Sequence, residues 1–122
     1  PFRDVHLHAC EKLTEGLQEL GVMKGDAKEA VSMGAHALFF PCGLGHMMGL
    51  DTHDMENLGE QYVGYNDEIK KSTQFGLKSL RLAKPLEKAL LLPLNLVCIL
   101  IPPLSMSGKQ TINLGLLSIM KN

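Results

Sequence analysis

The chain has almost no charge imbalance, with 12 basic against 13 acidic residues in 122 and a formal net charge of -1. Proteins that grip a nucleic-acid backbone or an anionic membrane need clustered, uncancelled Lys and Arg, so neither partner is expected and a small molecule or peptide is. Cysteine is scarce. Cys10, Cys42 and Cys98 are odd in number and lack paired spacing, which excludes a disulfide framework and implies reduced thiols in a reducing, cytoplasmic setting. No apolar leader opens the chain, and the missing initiator methionine makes a piece of a longer protein the expectation. Acidic residues are also missing from one end: all 13 lie at or before Glu87.

What is present begins with helical periodicity. Val5, Ala9, Leu13, Leu17 and Leu20 recur at three- and four-residue steps, with Asp4 placed to cap the start and Gly21 to end it, so a helix is predicted over 5–20. Its polar face carries Glu11, Lys12, Glu15, Gln18 and Glu19. His6 and His8 are expected on the helix surface, on the reading that nothing acidic or thiol-bearing sits at a matching offset for ligation. Asp26 followed by Glu29 resembles a capping box and predicts a shorter helix over 27–33. His36 falls in the link to a predicted Phe39-Phe40 strand and reads as structural.

The densest stretch is Phe39-Phe40-Pro41-Cys42-Gly43-Leu44-Gly45-His46-Met47-Met48-Gly49-Leu50-Asp51-Thr52-His53-Asp54, which has glycines, histidines and aspartates but no helical period. Gly43 and Gly45 allow either a positive φ or a close backbone approach. His46 follows them at the start of an apolar segment that suits a buried strand, which would point its ring inward. Asp51 and Asp54 flank His53 and could hold its imidazole in one tautomer or be solvated turn residues. Gly43-x-Gly45-x-x-x-Gly49 also resembles a dinucleotide fingerprint, but that motif needs a helix opening at the glycines, and the segment after Gly49 is turn-rich.

The run resembles, more closely, the second half of the pita-bread metallopeptidases that cleave before proline, the Xaa-Pro aminopeptidases and prolidases. Their Phe-x-x-His-Gly-Leu-Gly-His followed by Gly-Leu-Asp-Val-His-Asp is matched at Phe39, Gly43, Leu44, Gly45, His46, Gly49, Leu50, Asp51, His53 and Asp54. The resemblance extends outward through Leu17 to Asp26, Ala35-His36, and Gln74 to Ala83, covering most of residues 1–88. It implies an α+β fold and two divalent metals, usually Mn²⁺ with Co²⁺ or Zn²⁺ as substitutes, held by two aspartates, one histidine and two glutamates. His46 matches the histidine ligand, and His53 the non-ligand histidine that contacts substrate or passes a proton. Cys42 stands at a substrate-side position where the family has histidine, and a thiol cannot replace an imidazole as a proton-bearing donor near neutral pH. The substrates implied are proline-containing peptides, and the full-length enzymes of this type can be homo-oligomers. Prolidase and a non-catalytic remnant are the alternatives to an aminopeptidase.

Residues 89–122 depart from that pattern. From Ala89 to Leu104 there is no charge, yet the run is shorter than the roughly 20 residues a spanning helix needs, and Pro93, Pro102 and Pro103 would break one. A buried strand pair is permitted. A shifted reading frame explains more: read one nucleotide earlier, the possible codons of the 93–100 segment admit Thr-Val-Glu-Pro-Gly-Met-Tyr-Phe, similar to the family segment that supplies a glutamate ligand at the position of Asn95. The expectation is therefore authentic family sequence over 1–88 and out-of-frame translation over 89–122. Both aspartate ligands would then lie before Pro1 and both glutamates after Glu87, leaving His46 alone. One neutral imidazole cannot hold two hard cations.

Overall fold

The computed structural model describes residues 1–88, 90–95 and 112–113. The elements are α1 (Phe2–Glu19), β1 (Met23–Lys24), α2 (Ala27–Ser32), a 3-10 turn at Ala35–Leu38, another at Glu56–Leu58, α3 (Glu60–Val63), a third 3-10 turn at Leu77–Ser79, and β2 (Ile112–Asn113). β1 and β2 pair in parallel, Met23 opposite Ile112 and Lys24 opposite Asn113. The architecture is thus small and mixed, with helices dominating. Most of the 89–122 segment lies outside the described residues, including Cys98 and the prolines after Pro93.

α1 begins earlier than predicted because Pro1, rather than Asp4, occupies the cap, and Asp4 sits in the first turn where its charge suits the helix dipole. Its end is as expected. Gly21 sits at φ 70, its N–H bonding the carbonyl of Gln18, while Val22 N–H reaches back to Leu17. The buried face is not the one the aliphatic period marks. Phe2, His6, Cys10, Thr14 and Leu17 are buried, whereas Val5 and Leu20 are exposed. The helix turns by one position because Phe2 is the larger anchor: it joins Cys10, Val31, Phe40, Leu44, Met47 and Leu82 in the main core. His6 is therefore corrected from surface to core. His8 is exposed, within 3.9 Å of Glu11.

α2 is capped as predicted, the Asp26 side chain accepting from Glu29 N–H. The Phe39-Phe40 strand does not form. Ala37 N–H bonds Gly34, and both Phe39 and Phe40 N–H bond the carbonyl of His36, so this segment satisfies its backbone locally as a tight turn. The strand expected at His46 is realised only as an isolated antiparallel bridge between Gly45 and Leu94, flanked by Asn95 N–H to Leu44 and Met48 N–H to Leu91. Partly buried Leu90 and Leu92 pack on the core from that side. No helix opens at Gly43 to Gly49, so the dinucleotide reading lacks its structural condition. Among the described residues no helix is long and apolar enough to cross a membrane.

Candidate functional site

Gly43 and Gly45 answer the choice between positive φ and close approach. Neither has a positive φ. A Cβ on Gly43 would meet the Leu80 Cα at 2.9 Å and the Ser79 carbonyl at 3.0 Å, and one on Gly45 would meet the Pro93 carbonyl at 2.5 Å and the Phe2 ring at 3.0 Å. The loop is thus pressed between the 79–80 backbone and the 93–95 segment. Beyond it, Asp54 N–H bonds the Met47 carbonyl and Gly49 N–H that of Asp51, folding residues 47–54 back on themselves. This closure carries His53 over His46.

The two imidazoles meet edge to face, centroids 4.3 Å apart at 86°. His46 is buried and His53 exposed. Both, with Cys42, Gly43, Gly45, Ser79, Arg81 and Asn95, line a cleft of about 390 Å³. Cys42 is exposed at its edge.

The partners assign the ring protons. His46 Nδ1 lies 2.9 Å from the Met47 carbonyl, which only accepts, so Nδ1 carries the proton and Nε2 a lone pair. The Asn95 amide donates to that lone pair at 3.2 Å. A backbone carbonyl holding one nitrogen while the other presents its lone pair, here to the Asn95 amide, is the arrangement typical of metal-ligating histidines. At His53, Arg81 Nη1 lies 2.9 Å from Nδ1. A guanidinium has no acceptor, so it donates to Nδ1, and the proton of the neutral ring sits on Nε2. The partner of this ring is Arg81, and neither Asp51 nor Asp54 forms a hydrogen bond or ion pair with it. Asp51 is exposed, and the Asp54 carboxyl packs against Gly49. Arg81 is anchored in turn by Glu56, 2.6 Å from its Nη1.

Arg81 and Glu56 were not legible as site residues. The signal for Arg81 was its place in the resembling Leu80-Arg81-Leu82-Ala83 stretch; for Glu56 there was none, since it lies in a charged loop among other acids. Met55, between His53 and Glu56, takes a left-handed φ of 58, uncommon for a large side chain, and this turn aims Glu56 back at Arg81.

A two-metal centre needs several carboxylate oxygens, and the residues present do not fit one. The cleft is lined by imidazoles, a thiol, a hydroxyl, a guanidinium and an amide, and among the described residues the one cluster able to hold a metal excludes His46.

No family model matches the chain. Curated relatives nevertheless place it near one class of hydrolase, the Xaa-Pro peptidases. The protein named "Probable Xaa-Pro aminopeptidase pepP" from Metarhizium robertsii is 55% identical over 51 residues, 42% of this chain and 11% of that protein. A "Probable Xaa-Pro aminopeptidase" from Colletotrichum graminicola is 50% identical over 54 residues, 44% of this chain and 10% of its own length. The "Xaa-Pro dipeptidase" of Shewanella amazonensis is 41% identical over 63 residues, 52% of this chain and 14% of its own. The matched stretch thus spans about a tenth of these relatives.

Proposed function

We propose that the chain is a piece of the catalytic domain of a pita-bread Xaa-Pro aminopeptidase, working in the cytoplasm of its cell, and that it carries the imidazole side of a proline-peptide site. The convergence of His46 and His53 in one cleft supports this reading most, because the two histidines of the resembling motif meet there with complementary tautomers. In the proposal His46 is the metal-ligand histidine, its Nε2 lone pair set by the Met47 carbonyl. His53 offers its Nε2–H to the substrate carbonyl as charge develops there, and Arg81 holds the ring in that tautomer. Cys42 stands on the substrate side. In the complete enzyme two divalent ions, with Mn²⁺ the first candidate, would supply the nucleophilic water and share the oxyanion charge. This chain's cleft does not hold them, so the chain alone is inactive.

The proposed break near residue 88 fits the same picture. Asn95, where the shifted frame admits glutamate, is the residue whose side chain reaches His46 Nε2. Residues 1–88 are then authentic domain sequence, and 89–122 out-of-frame translation. A dipeptidase is the second reading, favoured by the Shewanella relative.

The experiment is hydrolysis of Xaa-Pro dipeptides and Xaa-Pro-Xaa tripeptides in saturating Mn²⁺. It compares this chain with a frame-restored, N-terminally extended chain carrying Cys42→His. The first should be inactive and the second should release the residue before proline, with tripeptides favoured if it is an aminopeptidase. Metal-dependent turnover by the 122-residue chain itself would overturn the assignment of His46 as its lone ligand.

A further inference from the structure

A second cluster shares no residue with the lining of the cleft and meets the glycine-rich loop where Leu44 N–H contacts His6 Nδ1. His6 and Cys10 are one helical turn apart on α1, and His36 faces them from the Ala35–Leu38 turn. All three are buried to zero exposure. Their donor atoms lie within 4.8 Å of one another, and His6 Nε2 is 3.6 Å from Cys10 Sγ. A tetrahedral zinc with bonds of about 2.0–2.1 Å to nitrogen and 2.3 Å to sulfur sets those two ligand atoms roughly 3.6 Å apart. The pair already has the edge length of a zinc site.

His36 supplies an independent observation. Both its ring nitrogens are buried and without a hydrogen-bond partner, a condition that native interiors avoid and that an unobserved ion or water commonly explains. The donors are two imidazoles and a thiol, a borderline-soft set with no carboxylate, suited to Zn²⁺ and unsuited to Mg²⁺, Ca²⁺ or Mn²⁺.

We propose that His6, Cys10 and His36 form a buried Zn²⁺ site, separate from the His46 cleft, that ties α1 to the turn leading into the glycine-rich loop. On loading, the Cys10 Sγ–H bond breaks, its proton leaves to solvent and the thiolate binds the ion. The His6 proton moves from Nε2 to Nδ1, and Leu44 N–H gives up its 3.3 Å contact with Nδ1. That change sets two buried donors, Leu44 N–H and His6 Nδ1–H, against each other at a cost of about 1–3 kcal/mol for each group left unpaired, which the metal bonds must outweigh. One His36 nitrogen gains a partner, and the fourth position is left for a water. With no open path to a site this deep, the ion is taken up as the chain folds.

The test refolds the whole chain from the reduced, metal-free, denatured state in increasing Zn²⁺, and in Co²⁺ as its spectroscopic stand-in, so that the ion is present while the site forms. One ion per chain should bind, and Co²⁺ should show a thiolate charge-transfer band. That band should survive in the Cys42→Ser/Cys98→Ser chain, where Cys10 is the thiol that remains, and disappear in Cys10→Ser. Zn²⁺ affinity should fall by more than about 100-fold in Cys10→Ser or His36→Leu, beyond the roughly 10–100-fold cost of losing an outer-shell partner. His46→Ala should keep the band, so this site and the peptidase reading can fail separately. Absence of the band from the Cys42→Ser/Cys98→Ser chain overturns the proposal, whether or not Cys10→Ser folds. A band that persists in Cys10→Ser and needs Cys42 or Cys98 overturns it as well.

Discussion

The Asn95 amide donates to the Nε2 lone pair of His46 across 3.2 Å, although the two residues lie on opposite sides of the composition change near Lys88. The contact is made because Leu94 bridges to Gly45 and Asn95 N–H bonds Leu44, so the 90–95 segment runs antiparallel to the histidine loop. Whatever residue occupies position 95 faces the ring nitrogen free to ligate.

The coding DNA for residues 89–122 should, translated one nucleotide earlier, contain Thr-Val-Glu-Pro-Gly, with glutamate from the triplet overlapping Asn95. Sequencing the gene or transcript checks this. Lys, Gln or a stop at that triplet contradicts the frame argument and leaves Asn95 as an ordinary cap on His46.

Arg81 should fix the tautomer of His53. In the wild-type chain, ¹⁵N spectra of the ring should show Nδ1 as the unprotonated nitrogen, and Arg81→Leu should return the ring to a tautomer mixture. Stability should fall only modestly, by roughly 0.5–1.5 kcal/mol, the net worth of a typical hydrogen bond, because Arg81 is partly exposed. An unchanged ring spectrum in Arg81→Leu would remove Arg81 from the site.

Two glycines should respond to alanine in opposite directions. Gly16 is inside α1 with nothing within 4 Å of a Cβ, so Gly16→Ala should stabilise by about 0.5–1 kcal/mol through helix propensity. Gly45→Ala drives a methyl into the Pro93 carbonyl and the Phe2 ring and should destabilise by about 1–3 kcal/mol. Urea unfolding midpoints measure both, and a neutral Gly45→Ala would mean that the 93–95 segment does not press on the loop.

Acid should destabilise the metal-free fold before most carboxylates titrate. Burial, with His36 nearby, holds His6 down at about 4 from an ordinary 6.5, and burial lowers His36 as well. Both rings are neutral when folded. Between about 4 and 6.5 the unfolded chain binds more protons, so stability rises with pH across that window and is lost as pH falls through it. For His6 the loss is on the order of 3 kcal/mol. Unfolding midpoints with chelator at pH 7.5, 5.5 and 4.5 should fall in that order, and His36→Leu should flatten the slope. A flat profile would mean the rings are not buried as described.

The α2 cap, the Gly21 stop and the helical character of residues 5–19 were all legible because each depends on local chemistry, a side chain or a φ value acting within four residues. The histidine loop was legible as a candidate site because few chains crowd glycines and ionisable residues without a period, and the structure brings His46 and His53 into one cleft. The face of α1 was not. A period of aliphatic residues marks a stripe only when nothing larger competes, and Phe2 pulled the buried stripe round to His6, Cys10 and Thr14. The signal passed over was Cys10 four residues after His6, the offset that sets two side chains on one helix face.

Strand character at 39–40 and 44–48 depended on whether a partner existed, and no local pattern reports that. The 35–40 segment bonded to itself and became a turn, while 44–48 met residues 91–95. The amino-acid sequence alone determined the stop of α1, the cap of α2, the grouping of titratable residues and the near-neutral net charge. Tertiary structure alone decided which neighbour holds each imidazole: Arg81 rather than an aspartate on His53, Met47 and Asn95 on His46. A hydrogen bond is set by distance in space, and chain separation carries no information about that until the loop has closed.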